Sequence, residues 1–293
     1  MAARADRLPP TPLERLLARD RWLIAASLSL LAVLAWVYLI VMARQMASGD
    51  MSLIGMAQMP SAAGAPAGDP MPGMPGMAGQ VAEAMTMAPA PWSARTFVLT
   101  FLMWWVMMVG MMIPSAVPMV SLFGRVQRRQ LAEQNPALRV AVFTSGYLAV
   151  WGAFSVLAAS AQWALNELAL LAPMQFTVGR ALGALLLVLA GIYQLSPLKN
   201  VCLRRCRLPA EFLSAHWRQG TCGALLMGTE HGAFCVGCCW LLMGLLFIGG
   251  VMNLLWVAGI GVFVLLEKLM PRGEWLARAS GVAMLAFAGY LLL

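Results

Sequence analysis

Within the short stretch His231 to Met243 (HGAFCVGCCWLLM) the chain places one imidazole, three thiols and a thioether. These are the donor groups that soft metal ions select. Residues four apart share a helix face, so Met227, His231, Cys235, Cys239 and Met243 form one ladder, with Cys238 a turn from Cys235. Neighbouring steps of such a ladder are about 5–6 Å apart. Two or three of these side chains can therefore close on one ion, and another helix can add a donor. A single Cys in this setting reads as a small buried hydrophobe; three in five residues beside a His is a density that packing does not require.

All six cysteines fall between Cys202 and Cys239. Cys202 and Cys206, in PLKNVCLRRCRLP, have the spacing of two ligands on one helical turn. The adjacent Arg204, Arg205 and Arg207 are expected to favour their thiolate forms. Cys222 is expected on the same side, and a reducing cytosol there disfavours a stable disulfide. His216 reads as a solvated loop residue. Among the remaining polar groups, Glu230 is placed to orient His231 or carry a proton, and Asn253 to bond across helices. Glu267 and Lys268 are expected to snorkel to an interface at a helix end.

Methionine is the third donor type. Nine lie between residues 46 and 87, among them Met71, Met74 and Met77 of an MPG repeat. Thioethers select Cu(I) and need no deprotonation. In the polyproline II form, however, successive Met of that repeat would stand about 9 Å apart on one edge, so sharing an ion requires the glycines to bend the chain. Met103, Met107 and Met111 recur at helical spacing, with Met108 and Met112 beside them. Such a stripe packs a helix or, running inward from the loop through Met107, Met111 and Met112, relays a soft cation.

The elements that position these groups follow from composition. Of 293 residues 61% are hydrophobic and 11% charged, whereas water-soluble domains run near a quarter charged. Seven apolar segments stand out: Trp22–Met42, Phe97–Ser121, Val140–Leu165, Gly179–Leu195, Cys222–Ile248, Met252–Met270 and Trp275–Leu293. Only helices satisfy their own backbone in lipid, so the expected fold is an all-α, polytopic transmembrane bundle of about seven helices. Seven crossings put 17 of the 20 Lys and Arg on one side and leave Arg44, Arg95 and Arg180 on the other. That is the positive-inside pattern, with the N-terminus in and the C-terminus out. The net charge of +8 is then topological, and a nucleic-acid partner is excluded. The apolar run after Arg21 is too long for a cleaved signal peptide.

Three regions are expected: a cytoplasmic N-terminus and first helix (1–43), a Met-, Pro- and Gly-rich outer loop without a core (44–93), and a six-helix membrane domain bearing the Cys and His motifs (94–293). Pro114 and Pro118 are expected to kink the second helix. Cys222–Ile248 is long for one crossing, so either the helix tilts, or Gly220–Gly232 is interfacial and His231 lies at the surface rather than in the centre.

The segments MMIPSAVP (111–118), YQLSPLKNVCLRRCRLP (193–209), HGAFCVGCCWLLM (231–243), VMNLLW (251–256) and LLEKLMPRG (265–273) resemble a bacterial family of integral membrane proteins catalogued as a domain of unknown function and as metal-binding. The resemblance implies a metal site at Cys202, Cys206, Cys235, Cys238 and Cys239. It does not extend to the first helix or the Met-rich loop.

The expected function is therefore handling of a soft metal, copper ahead of zinc, in a bacterial inner membrane, for transport, delivery or metalloenzyme assembly, with a metalloenzyme or a metal chaperone as the expected partner. No phosphate-binding loop or DKTG-type motif is present, which disfavours ATP-driven pumping. The alternative is a quinone-linked membrane thiol-disulfide oxidoreductase with Cys235 and Cys238 as the reactive pair and Cys202/Cys206 as the shuttle. A haem subunit using His231 and a structural subunit whose sulfurs merely pack are the weaker readings.

Overall fold

A computed structural model describes residues 12–48, 93–130, 136–172 and 177–293, and they are almost entirely helical. The helices α1 (Pro12–Ser48), α2 (Ala94–Gln130) and α3 (Pro136–Glu167) precede a small antiparallel hairpin of β1 (Leu171–Ala172) and β2 (Thr177–Val178). Then follow α4 (Arg180–Leu195), α5 (Pro197–Arg207), α6 (Pro209–His216), α7 (Gly220–Gly244), α8 (Leu246–Gly249), α9 (Leu254–Leu269) and α10 (Gly273–Leu292). Met71, Met74 and Met77, and the other loop methionines from 51 to 87, lie outside the described residues.

Among the described residues five spans are long and apolar enough to cross a membrane: Ile24–Gln45, Ala94–Arg128, Pro136–Glu167, Gly220–Gly249 and Gly273–Leu292. A sixth arises if α4 and α5, bent by 66°, count together. Two segments thus differ from the sequence expectation. Pro197 disfavours a helical conformation at the residue before it, and Ser196 is extended there and caps α5 by accepting from the Lys199 amide at 3.2 Å. The Cys202/Cys206 pair therefore rides on its own short helix, α5. The sixth expected crossing is α9, 16 residues long and about 24 Å at 1.5 Å per residue, because Asn253 caps its start and Met270 is extended at its end. Large apolar side chains such as Leu34, Leu157, Leu185 and Val282 are exposed on the outer surfaces of the helices.

Pro114 and Pro118 lie within one continuous helix. Pro114 has no N–H for the Gly110 carbonyl, and Trp36 of α1 donates its indole N–H to that oxygen instead, at 3.2 Å. A Trp36→Phe change keeps an aromatic ring and removes the donor; it should lower stability by about 1 kcal/mol, read as a lower Tm in detergent. The helix α7 runs unbroken from Gly220 to Gly244 and places His231 near its middle, and Gly220–Gly249 is long and apolar enough to cross a membrane as one span. The chain then continues through α8 and turns at Gly250, whose φ of 91° suits a residue without a Cβ.

Close helix crossings frame the core. The helix α3 packs along α7, α10 along α4, and α1 along α2. At the first crossing a Cβ on Gly228 would fall on the Phe143 carbonyl, and one on Gly146 would come within 2.5 Å of the Leu225 carbonyl. At the second, a Cβ on Gly191 or on Gly281 would stand 2.9 or 3.0 Å from the other's carbonyl oxygen. Small residues let backbones approach at such crossings.

Candidate metal centre

The helix α7 presents a ladder to the interior: Met227, His231, Cys235, Cys238, Cys239 and Met243 are all buried. Cys235, Cys238 and Cys239 all face inward. From α5, the Cys206 thiol contacts those of Cys235 and Cys238, and Cys239 in turn contacts both. Four thiols from two helices thus meet in one cluster. Cys238 and Cys239 also donate their S–H groups to the Cys235 carbonyl, at 3.1 and 3.0 Å, a back-bond open to polar side chains one turn along a helix. Cys202 is half-buried and packs on the other side of the cluster, its Sγ 3.0 Å from where a Cβ on Gly237 would stand. Tyr193 of α4 donates its hydroxyl to the Gly237 carbonyl.

Cys235 is the hub. Its Sγ lies 3.1 Å from the Tyr147 hydroxyl of α3 and 2.9 Å from Lys268 Nζ of α9. The Tyr147 hydroxyl is also 3.3 Å from the Met112 carbonyl of α2. Lys268 makes a further bond to Ser115 Oγ at 3.1 Å, with Met112 Sδ at 4.0 Å. Five helices therefore contribute groups around these thiols. His231, one turn before Cys235, is stacked against Phe143 and Tyr147 and meets the edge of Phe212. Among the described residues its buried Nδ1 has no hydrogen-bond partner, leaving an open ligand atom among aromatic rings.

Several expected residues are placed elsewhere. Glu230 does not orient His231: its carboxylate pairs with Arg218 at 2.5 Å. Asn253 is exposed and caps its own helix, accepting from the Trp256 amide at 3.3 Å, so it does not bond across helices. Cys222 is exposed and is not brought into the cluster. His216 ends α6 rather than a loop and stacks on Phe212. The arginines of α5 turn away from the thiols: Arg204 lies 3.8 Å from Glu211, Arg205 sits over the Phe234 ring, and Arg207 donates to the Met270 and Pro271 carbonyls. Of the expected relay, Met107, Met111 and Met112 are buried, and Met112 Sδ lies 4.0 Å from Lys268 Nζ.

The largest departure concerns Glu267 and Lys268, which do not snorkel. They are 1% and 7% exposed. Glu267 pairs at 2.8 Å with Lys199, itself 0% exposed. Gln194 accepts from that lysine and donates to Glu267 at 3.0 Å and to Ser280 at 2.9 Å. Gln194 and Lys199 lie within the segment YQLSPLKNVCLRRCRLP, where the thiols draw the attention, and Tyr147 lies in no motif. The available signal was a Lys or Glu inside an apolar run, which marks function or a partner by default.

Among the described residues no group of three or more His, Cys, Asp or Glu side chains is arranged to hold a metal ion. Within the thiol cluster, Cys206 and Cys235 approach from separate helices. Two opposed thiolates satisfy a linear two-coordinate ion, whereas structural zinc takes four donors. The family model PpoB2, described as a copper chaperone, matches residues 101–291, which contain every group of this centre. No curated protein and no solved structure matches the chain.

Proposed function

Because the chain belongs to the PpoB2 copper chaperone family, we propose that it is an integral membrane protein that binds copper as Cu(I) and delivers it to a partner metalloenzyme. The observation that carries this reading is the approach of Cys206 on α5 to Cys235 on α7 inside a buried cluster. Thiolates and thioethers select Cu(I), and the ion is held between these two sulfurs. Cys238 and Cys239 line the pocket, His231 and Met112 stand within reach as transfer donors, and Cys202 flanks it. Copper is the cargo and zinc the second choice.

The remaining assignments belong to the same proposal. The chain crosses a bacterial inner membrane seven times with its N-terminus inside, α9 and the bent α4–α5 unit completing the set beside five full spans. The 44–93 region faces outward and supplies methionines that collect the ion.

Metal content of detergent-purified protein tests the reading. Wild-type protein loaded anaerobically with Cu(I) should keep one ion per chain through gel filtration, and a Cys206→Ser/Cys235→Ser variant should fall to background. Full copper content in a folded double variant sinks the assignment. The contact between Cys206 and Cys235 also favours a second reading, thiol-disulfide exchange through a mixed disulfide. A metal-free preparation that reduces a quinone analogue would establish that one instead.

A further inference from the structure

Lys268 is the charged group at this cluster that copper binding by sulfur alone leaves unexplained. It is buried, and its Nζ lies 2.9 Å from Cys235 Sγ and 3.1 Å from Ser115 Oγ. The neighbouring charges do not compensate it. Glu267, next along the helix, is paired with Lys199 at 2.8 Å, and the arginines of α5 point to Glu211, the Phe234 ring and main-chain carbonyls. Lys268 is therefore the fixed positive charge that the thiols face. A buried charge is tolerated when it is paired, so the local sum of charges governs what can enter.

We propose that Lys268 sets the valence of the cargo, making the Cys206–Cys235 site one for a monovalent soft ion and against divalent ions of comparable thiol affinity. The inference rests on the thiol-site reading given above and deepens it. With Cys235 as thiolate, the empty pair with Lys268 is neutral. A monovalent ion entering between Cys235 and Cys206 displaces the Cys206 proton, which leaves for solvent. Two thiolates and one monovalent ion sum to minus one, and the ammonium restores neutrality. A divalent ion at the same sulfurs leaves a net positive charge in surroundings that cannot hydrate it. A third thiolate would cancel that charge, but Cys238 and Cys239 use their S–H protons on the Cys235 carbonyl at 3.1 and 3.0 Å, and a neutral donor adds nothing to the count. Softness alone does not separate these classes; the tethered ammonium does.

The test uses full-length protein, reduced and in detergent, with Ag(I) and Cd(II) as probes, two soft, redox-inert ions that differ in charge. From a buffered low-molecular-weight thiol, wild-type protein should retain one Ag(I) and no Cd(II). Lys268→Met and Lys268→Gln should lower the Ag(I)-to-Cd(II) affinity ratio by on the order of a hundredfold, the effect of one unit charge about 5 Å away at an effective dielectric near 20. Lys268→Arg should keep the ratio. A wild-type chain that retains Cd(II) as it does Ag(I) overturns the proposal whether or not the variants fold, and so does an unchanged ratio in a folded neutral variant. Retention of neither ion by wild-type protein would instead sink the thiol-site reading itself.

Discussion

Gly228→Ala is expected to destabilise the chain by about 3 kcal/mol, at the upper end of the usual overpacking range, although helix propensity alone would make the change favourable by about 1 kcal/mol. The sign is decided by space. A Cβ at 228 has nowhere to go but onto the backbone of Phe143, and main chain cannot rotate aside as a flexible side chain can. The helices α3 and α7 must separate, and they carry Tyr147 and Cys235, whose side chains are 3.1 Å apart. Copper retention should fall along with Tm. Gly259→Ala provides the contrast: a Cβ there meets nothing within 4 Å, so stability should rise by up to about 1 kcal/mol. Thermal unfolding of the two single variants in the same detergent checks both, and equal shifts would show that crossing distance is not what limits α3 and α7.

Lys199→Met is the second large effect. The substitution keeps the volume but strands the Glu267 carboxylate, 1% exposed, without its partner. Removing one member of a buried pair costs about 3–5 kcal/mol, whereas replacing both by apolar groups is often close to neutral. The double variant Lys199→Met/Glu267→Leu should therefore recover most of the loss, even though it is further from wild type. Gln194 keeps its bond to Ser280 at 2.9 Å in either case. Tm of the two variants beside wild type measures this; a double variant as unstable as the single one would mean that the hydrogen-bond network, not the unpaired charge, carries the stability.

Much of this was legible in the sequence, for physical reasons that also explain the failures. Long apolar runs and the spacing of His231, Cys235 and Cys239 follow from helix geometry, so α1, α2, α3, α7 and the buried ladder could be read directly. A motif reader sees Cys202 and Cys206 as a pair because they are one turn apart; both reach α7, but the fold separates their contacts, Cys206 meeting the Cys235 and Cys238 thiols and Cys202 packing on Gly237. That separation depends on the 66° bend after Leu195, which Pro197 hints at but whose direction only tertiary packing fixes. The charges misled most. Arginines beside a thiol in sequence project elsewhere on a short helix, while the cation that meets Cys235 comes from 33 residues away. Glu267 and Lys268 near a helix end look like interface anchors, and only packing from four other helices reveals that both are buried.

Consecutive side chains on a helix point about 100° apart, so Glu267 and Lys268 address different neighbours from adjacent positions of α9. One locks to α4 and α5, and through Gln194 to Ser280 of α10; the other reaches α2 and α7. This helix is thereby clocked at both hands. A one-residue insertion within its upstream turns would rotate both contacts off their targets together, so the angular setting of α9 synchronises the scaffold half of the bundle with its sulfur half.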